Sequence, residues 1–290
     1  GDSGMTAVLK HELKNYFRSM TAYVLGAGLL LAVGLGAMLY NIEAAVSNFE
    51  FALSYFSIIF SVIVPILTMR VIAEERKQKT DQLLYSLPIT TTQVIVGKYL
   101  ALLAVYMIPL CIVALYPLIF SQFGDVYLLT SYGSMLAFFI MGAALIALGV
   151  FISSLTDNQG FAAGIGIAVI LFNYFSVSLS EYVSASAFGS AAALCVMILA
   201  LGAVIKHLTK NENLAYGICF VLISATAACF MDGTKFEGLL PNVMTRLSLF
   251  DRFTGFVNGV FDMTSIVYYA SVIVFFLFLS IQSLEKRRYN

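Results

Sequence analysis

Eight stretches of the sequence contain no aspartate, glutamate, lysine or arginine, and each is long enough to cross a membrane as a helix. With 60% apolar and only 11% charged residues, the chain carries more apolar surface than a soluble fold can bury. A bilayer solvates such side chains, provided that the backbone polar groups bond internally, as they do in helices. The stretches are residues 20–40, 51–69, 99–120, 132–155, 161–179, 187–205, 215–231 and 265–284. The sequence therefore predicts an all-α polytopic membrane protein with about eight transmembrane helices.

A count of six spans is the alternative, because the seventh stretch is the shortest and closely follows the sixth; residues 187–231 would then fold differently. The charge distribution favours an even number. With the N-terminus inside, only Lys235, Arg246 and Arg252 of the 16 lysines and arginines fall on the outer side. This positive-inside pattern predicts a bacterial inner-membrane protein with both termini in the cytoplasm.

The N-terminal region predicts a helix that lies in the membrane interface. Residues 1–4 precede Met5 and look like a cloning remnant, which leaves residues 5–290 as a single transmembrane domain. From Met5 to Arg18 the polar side chains share one side of a helix, and no apolar signal core is present. The opposite, apolar side is formed by Leu9, Leu13, Tyr16, Phe17 and Met20. We therefore expect an amphipathic helix in contact with lipid rather than a cleaved signal.

The predicted spans lack the groups that membrane enzymes and ion-driven carriers use. Carriers place charges at mid-membrane depth, whereas here every charged residue lies in a loop or at a helix end. The only histidines, His11 and His207, lie near the cytoplasmic surface, so no catalytic or metal-binding set is predicted. The phosphate-binding pattern GxxxxGK[ST] is absent, and the formal net charge of zero gives no field that would attract nucleic acid. The sequence predicts a non-catalytic subunit to which another chain supplies energy.

The longest predicted cytoplasmic loop, residues 70–98, has the signals of a structured segment. Thr80 is expected to cap a short helix with Asp81 in its first turn, and Pro88 prevents that helix from continuing. Thr90 and Gln93 form a capping box that begins the next helix. The loop thus predicts a short helix held at a cytoplasmic turn.

The apolar residues of this short helix, Leu83, Leu84 and Leu87, allow two interpretations. A helix too short to be stable alone usually docks into a groove of a partner. The leucines could equally lie in the lipid interface beside the N-terminal helix. Just before it, Glu75 and Lys79 are predicted to pair at i,i+4 spacing on a solvated helix end.

The loop resembles the ABC-2 type family of ABC transporter permeases, whose corresponding loop typically reads ERxxGTxExLLxxLPxS. The matching residues are Glu75, Arg76, Thr80, Leu83, Leu84, Leu87 and Pro88. Two residues depart from the pattern, since Lys79 replaces the usual glycine and Gln82 the usual glutamate. The start KHELK, from Lys10 to Lys14, is also typical of the family. The stretch from Leu247 to Asn290 resembles its gliding-motility-permease-like branch.

This resemblance implies the membrane-spanning permease subunit of an ABC transporter, usually an exporter, in which Asp81–Ser86 is the coupling helix that docks in a separate ATPase subunit. It implies two ATPase copies, which bind ATP and Mg²⁺, and a second permease that is identical or homologous. No cofactor is implied for this chain. The implied ATPase-coupling residues are Glu74, Glu75, Thr80, Asp81, Gln82, Leu83, Leu84, Leu87 and Pro88. The competing functions are an autonomous channel or ion-driven carrier, and a membrane anchor that docks a cytoplasmic partner without transport.

Two further sets of residues are candidates for packing and for the exit path. Two pairs of small residues have four-residue spacing, which allows close helix contact either in a dimer seam or within one chain. They are Gly160 with Gly164 and Ala162 with Gly166. The outer loop, residues 232–264, resembles the external helical cap of these permeases. Four apolar residues of this loop are predicted to share one helix face: Phe250, Phe253, Val257 and Val260. This face either covers an exit path or lies on the outer leaflet.

Overall fold

The computed structural model describes residues 2–55, 57–183, 185–209, 212–231 and 233–289. Helices make up 84% of these described residues, which contain no strand. The first helices are α1 (Asp2–Arg18), α2 (Thr21–Gly36, continued by the π-helical segment Ala37–Glu43), α3 (Glu50–Tyr55), α4 (Ser57–Thr68), α5 (Ala73–Gln78), α6 (Asp81–Ser86), α7 (Thr91–Val113) and α8 (Leu115–Phe120). They are followed by α9 (Leu128–Leu155), α10 (Gln159–Ser180), α11 (Ala187–Thr209), α12 (Glu212–Phe230), the 3₁₀ turn Gly233–Lys235, α13 (Leu239–Leu247), α14 (Leu249–Val257) and α15 (Met263–Arg288).

The fold confirms a polytopic membrane protein. Among the described residues, seven helices are long and apolar enough to cross a membrane. An eighth span results if the bent pair Glu50–Ile59 and Val62–Gln78, which meet at 59°, counts as one. Because α11 and α12 are separate helices that each meet this length and hydropathy test, the alternative count of six is not supported.

The helices pack as two compact units, residues 1–174 with 252–290 and residues 175–251. In the first unit, α9 is the central helix, since 78% of its most apolar stretch is buried. Glycines on α9 allow close approach: Gly142 faces the ring of Tyr106 on α7, and Gly149 faces Thr68 on α4. The Tyr106 hydroxyl donates to the Phe138 carbonyl over 2.9 Å, which satisfies a polar group that would be costly to bury alone.

In the second unit, α11 and α12 form an antiparallel pair. Gly202 of α11 faces Cys219 of α12, so the two helices approach closely there. Lys206 and Glu212 form an exposed ion pair at 2.8 Å near the connection between the helices.

The small residues of α10 divide between a packed and an exposed side. A Cβ at Gly166 would lie 2.9 Å from the Cβ of Pro65 on α4, and Ala162 is buried on the same side. This side therefore makes a contact within the chain. Gly160 and Gly164 are exposed, and their role in a dimer seam stays a prediction.

Helix α14 contains three of the four residues predicted to share one face, but not the fourth. The helix ends at Val257, and Gly259, with φ of 82°, reverses the chain, so Val260 lies outside the helix and is 60% exposed. The predicted shared face is therefore wrong at this residue. Phe250, Phe253 and Val257 are buried, and the ring of Phe253 lies 5.6 Å from that of Phe138 on α9. Asp232, the predicted start of this loop, lies outside the described residues.

Candidate functional site

The turn between α5 and α6 is formed at Lys79, where the resembling loop pattern has glycine. Lys79 adopts the left-handed conformation, with φ of 58° and ψ of 22°. The Lys79 N–H donates to the Arg76 carbonyl over 3.1 Å, and the Thr80 N–H donates to the Glu75 carbonyl over 3.0 Å. These two bonds form a Schellman motif, in which glycine is favoured at the left-handed position. The Lys79 backbone is therefore strained in this conformation, whereas a glycine at the same position would not be.

Thr80 precedes the first residue of α6 as predicted, but the expected side-chain cap is wrong. Its hydroxyl donates backwards to the Glu75 carbonyl over 3.3 Å, because the left-handed turn points it toward α5. Asp81 lies in the first turn as expected, and its Oδ1 accepts the Gln82 N–H at 3.0 Å. A carboxylate at this end is favoured by the helix dipole.

The predicted end of α6 and the capping box are confirmed. Leu87 is extended, and Pro88 follows outside the helix. The Thr90 hydroxyl accepts the Gln93 N–H at 3.3 Å, and the Gln93 side chain accepts the Thr90 N–H at 3.1 Å. We call residues 73–90, which contain α5, the turn, α6 and the loop to Thr90, the coupling segment.

Helix α6 exposes apolar side chains while burying none of its residues. Leu83 is 71% exposed and Leu87 is 47% exposed, whereas Leu84 is half-buried. Gln82 and Pro88 are also exposed. Of the three leucines, Leu83 and Leu87 are therefore the ones that a second molecule can reach. The ATPase-coupling role of these residues stays a prediction.

A buried ion triad fixes the start of the coupling segment. The Nζ atom of Lys98 on α7, a residue only 1% exposed, lies 2.8 Å from Glu12 on α1 and 2.6 Å from Glu75 on α5. The predicted pair of Glu75 with Lys79 is therefore wrong, because Glu75 points inward to Lys98. Glu74 instead accepts the Gln78 side-chain amide at 3.3 Å.

The close packing of α1 on α7 places Glu12 at this triad. A Cβ at Gly97 would lie 2.9 Å from Val8 and 3.2 Å from the Met5 carbonyl, so only glycine permits this approach. Val8, Glu12 and Tyr16 are buried at i,i+4 spacing, whereas Phe17 and Met20 of the predicted apolar side are exposed. Burial raises the pKa of Tyr16 well above its usual value, and the Glu12 carboxylate adds to the rise, so the phenol stays neutral.

A second charged cluster joins the coupling segment to α9 and α15. Arg76 of α5 is buried, and its Nη1 lies 3.7 Å from Asp157. Arg287 of α15 donates to Asp157 over 3.1 Å and to the Leu155 carbonyl over 3.1 Å. The second bond satisfies the C-terminal end of α9, where a cation also interacts favourably with the helix dipole.

Arg288, the last residue of α15, holds the end of α6. Its Nη1 donates to the Ile89 carbonyl over 3.1 Å and its Nη2 to the Tyr85 carbonyl over 3.3 Å. The guanidinium lies 6.0 Å from the centroid of the Tyr85 ring. Burial raises the pKa of Tyr85, although Arg76 opposes the rise, so this phenol also stays neutral.

Sequence reasoning missed these partners of the coupling segment. The one available signal was the position of Glu12, four residues from both Val8 and Tyr16 and thus on the same side of α1. Nothing local indicates the contacts of Arg76, Arg287 and Arg288, because their partners are distant in sequence.

Replacing Lys79 with glycine is expected to raise the free energy of unfolding by about 0.5–1 kcal/mol, because glycine adopts φ of 58° without steric cost. Lys77→Gly is the matched control, since Lys77 lies in the right-handed helix α5 and its replacement should cost about 1 kcal/mol. Thermal unfolding in detergent measures the stability change of each purified variant relative to the wild type. Shifts in the same direction would contradict the assigned turn.

Residues 37–180 match the family described as ABC-2 family transporter protein. The match extends from the π-helical segment that continues α2 to the end of α10, and it contains the whole coupling segment. The stretch that resembles the gliding-motility-permease-like branch lies outside the match, so membership of that branch stays a prediction. A comparison with curated proteins gives no match. Because the matched family and the array of membrane-spanning helices agree, this multi-pass membrane protein belongs to the ABC-2 family and is a permease subunit of an ABC transporter.

Proposed function

We propose that this permease exports its substrate with energy from ATP hydrolysis in a separate ATPase subunit, which docks on α6. The observation that carries the proposal is the exposure of Leu83 on α6 and of Leu87 directly after it, in a segment where Lys98 holds Glu75 of α5 and Arg288 holds the end of α6. Burial of a leucine side chain contributes about 1.5–3 kcal/mol. Two such anchors supply roughly 3–6 kcal/mol to an interface, which makes α6 a strong docking element.

The positive-inside charge pattern supports a cytoplasmic position for this docking face and for both termini in the bacterial inner membrane. In the first unit, the residues of each ion cluster come from segments that this pattern assigns to the cytoplasm. Lys98, Glu12 and Glu75 meet in one cluster, and Arg287 and Asp157 meet in the other. The arrangement is therefore consistent with one cytoplasmic surface on which an ATPase can bind.

The proposed assembly contains two permeases and two ATPase subunits, and ATP with Mg²⁺ binds in the ATPase. The second permease is identical to this chain or homologous to it. The exposed Gly160 and Gly164 offer a surface on which a second permease helix could approach closely. This chain contributes docking and the path through the membrane, and it carries no ATP hydrolysis of its own.

Replacing both exposed leucines, Leu83→Asp with Leu87→Asp, is expected to weaken ATPase binding by about 10²- to 10⁴-fold, because both apolar anchors are lost. The ATPase is first identified by a pull-down from native membranes, as a chain that carries the GxxxxGK[ST] pattern. It is then purified, and its affinity for the solubilised permease is measured directly.

The control is the double variant Leu83→Met with Leu87→Met, which keeps apolar side chains of similar volume and should bind as the wild type does. Both positions are exposed, so neither double variant should impair folding. If the ATPase binds the aspartate variant as tightly as the wild type, the assignment of α6 as the docking helix is wrong.

A further inference from the structure

Helix α6 depends on contacts from elsewhere in the chain to keep its place. It has six residues, none of them buried, and a helix of this length is not stable alone in water. At the start of the coupling segment, Lys98 holds Glu75 of α5. At its end, Arg288 reaches the carbonyls of Tyr85 and Ile89.

The Tyr85 carbonyl needs the donor that Arg288 provides. In a continuing helix, this carbonyl would accept the N–H of Ile89, but that N–H donates to the Leu87 carbonyl over 2.7 Å. Pro88 has no N–H to offer. Arg288 replaces the missing donor, and the fixed fork of a guanidinium allows it to bind the Ile89 carbonyl at the same time.

The residues around Arg288 are themselves held in place. Five residues before Arg288 on α15, the Ser283 hydroxyl donates to the Ser154 carbonyl over 3.3 Å. The neighbouring Arg287 binds Asp157 and the Leu155 carbonyl. The end of α15 is therefore fixed on the end of α9, the central helix of this unit, and Arg288 extends from it to α6.

We propose that Arg288 is a positioning residue that holds α6 in the orientation in which Leu83 and Leu87 face the ATPase. For the ATPase contact, this inference rests on the proposed function. A docking helix held in one orientation binds more tightly than one that must first be ordered, because the apparent affinity falls with the fraction of molecules in the competent state. Arg288 does not need to touch the ATPase to have this effect.

The first test measures hydrogen exchange in the purified full-length permease without any partner. Arg288→Ala should increase the exchange rate of the hydrogen-bonded amides at residues 84–87 and 89 by about tenfold, because two charge-assisted bonds that hold this end of α6 are lost. Arg288→Lys should recover part of the protection, since an ammonium can still donate to these carbonyls. Arg18→Ala is the control, because it removes the same charge from the end of α1. Unchanged exchange in Arg288→Ala would overturn the proposal.

The second test measures the affinity of the same variants for the purified ATPase subunit. Arg288→Ala should weaken binding by about tenfold and Arg288→Lys by less, while Arg18→Ala leaves it unchanged. Faster exchange with wild-type affinity would overturn the positioning role. If the wild-type permease binds no ATPase, the proposed function fails, and the exchange measurement still decides whether Arg288 holds α6.

Discussion

Replacing Lys98 with methionine is expected to lower the free energy of unfolding by about 3–5 kcal/mol, the cost of removing one partner from a buried ion pair. Lys98 is 1% exposed, and it is the cation shared by Glu12 and Glu75. Methionine fills much of the same space, so the loss comes from the buried Glu12 and the partly buried Glu75 carboxylates, which no longer have Lys98 beside them. Heating the purified variant in detergent and following the folded fraction by size exclusion measures the effect.

The cause of this loss can be separated from the packing change. A triple variant, Lys98→Met with Glu12→Gln and Glu75→Gln, removes all three charges and should recover most of the stability. In Lys98→Met alone, the deficit should shrink as the pH falls, because burial raises the pKa of the Glu75 carboxyl and the loss of Lys98 removes the group that opposes this rise. Lys206→Met, which breaks the exposed pair with Glu212, should change little. A Lys98→Met variant as stable as the wild type would contradict the triad.

The ion triad has a consequence for transport, since Glu75 belongs to the helix that precedes α6. The triad joins α5 to α1 and α7, and Arg288 joins α6 to α15. A displacement of the coupling segment by a docked partner is therefore resisted at α5 by the triad and at the end of α6 by Arg288. In the proposed function, these contacts transmit movement of the docked ATPase from the coupling segment to the membrane-spanning helices.

Local features of the sequence predicted the spans and the helix boundaries of the coupling segment. The eight uncharged stretches correspond to the seven long helices and the bent pair. The capping box of Thr90 and Gln93 and the helix-ending effect of Pro88 act over a few residues, so they are visible in the pattern itself. The sequence does not predict the turn at Lys79, because a lysine in a left-handed conformation has no sequence signature.

The contacts that hold the site could not be predicted, because they join residues far apart along the chain. Lys98 and Glu12 are 86 residues apart, and Arg288 and Tyr85 are 203 apart. Hydropathy and charge counts predict a cytoplasmic position for each of these residues, but they do not select partners. The predicted pair of Glu75 with Lys79 failed for the same reason, since a local i,i+4 contact contributes only about 0.5 kcal/mol and yields to a buried partner.

Replacing Gly149 with leucine is expected to destabilise the first unit by about 3 kcal/mol. Gly149 lies at the contact of α9 with α4, where an added Cβ would lie 2.8 Å from the Cβ of Thr68 and 2.9 Å from its Cγ2. Thr68 is 1% exposed, and its hydroxyl is bound to the Val64 carbonyl over 2.9 Å, so it has no space into which to turn. The two helices must therefore move apart, which opens the packed centre of the unit.

Gly133 on the same helix provides the control, because an added Cβ there would meet no atom within 4 Å. Gly133→Ala should be neutral or stabilising by up to about 1 kcal/mol, as alanine favours the helix over glycine. Gly149→Ala gains the same helix propensity, but its added Cβ would clash with Thr68. Its net loss of stability should therefore be smaller than that of Gly149→Leu. Thermal unfolding in detergent distinguishes the three variants. Equal stability of Gly149→Leu and Gly133→Ala would show that α9 does not pack on α4 in this way, and the bent second span would then have to lie elsewhere.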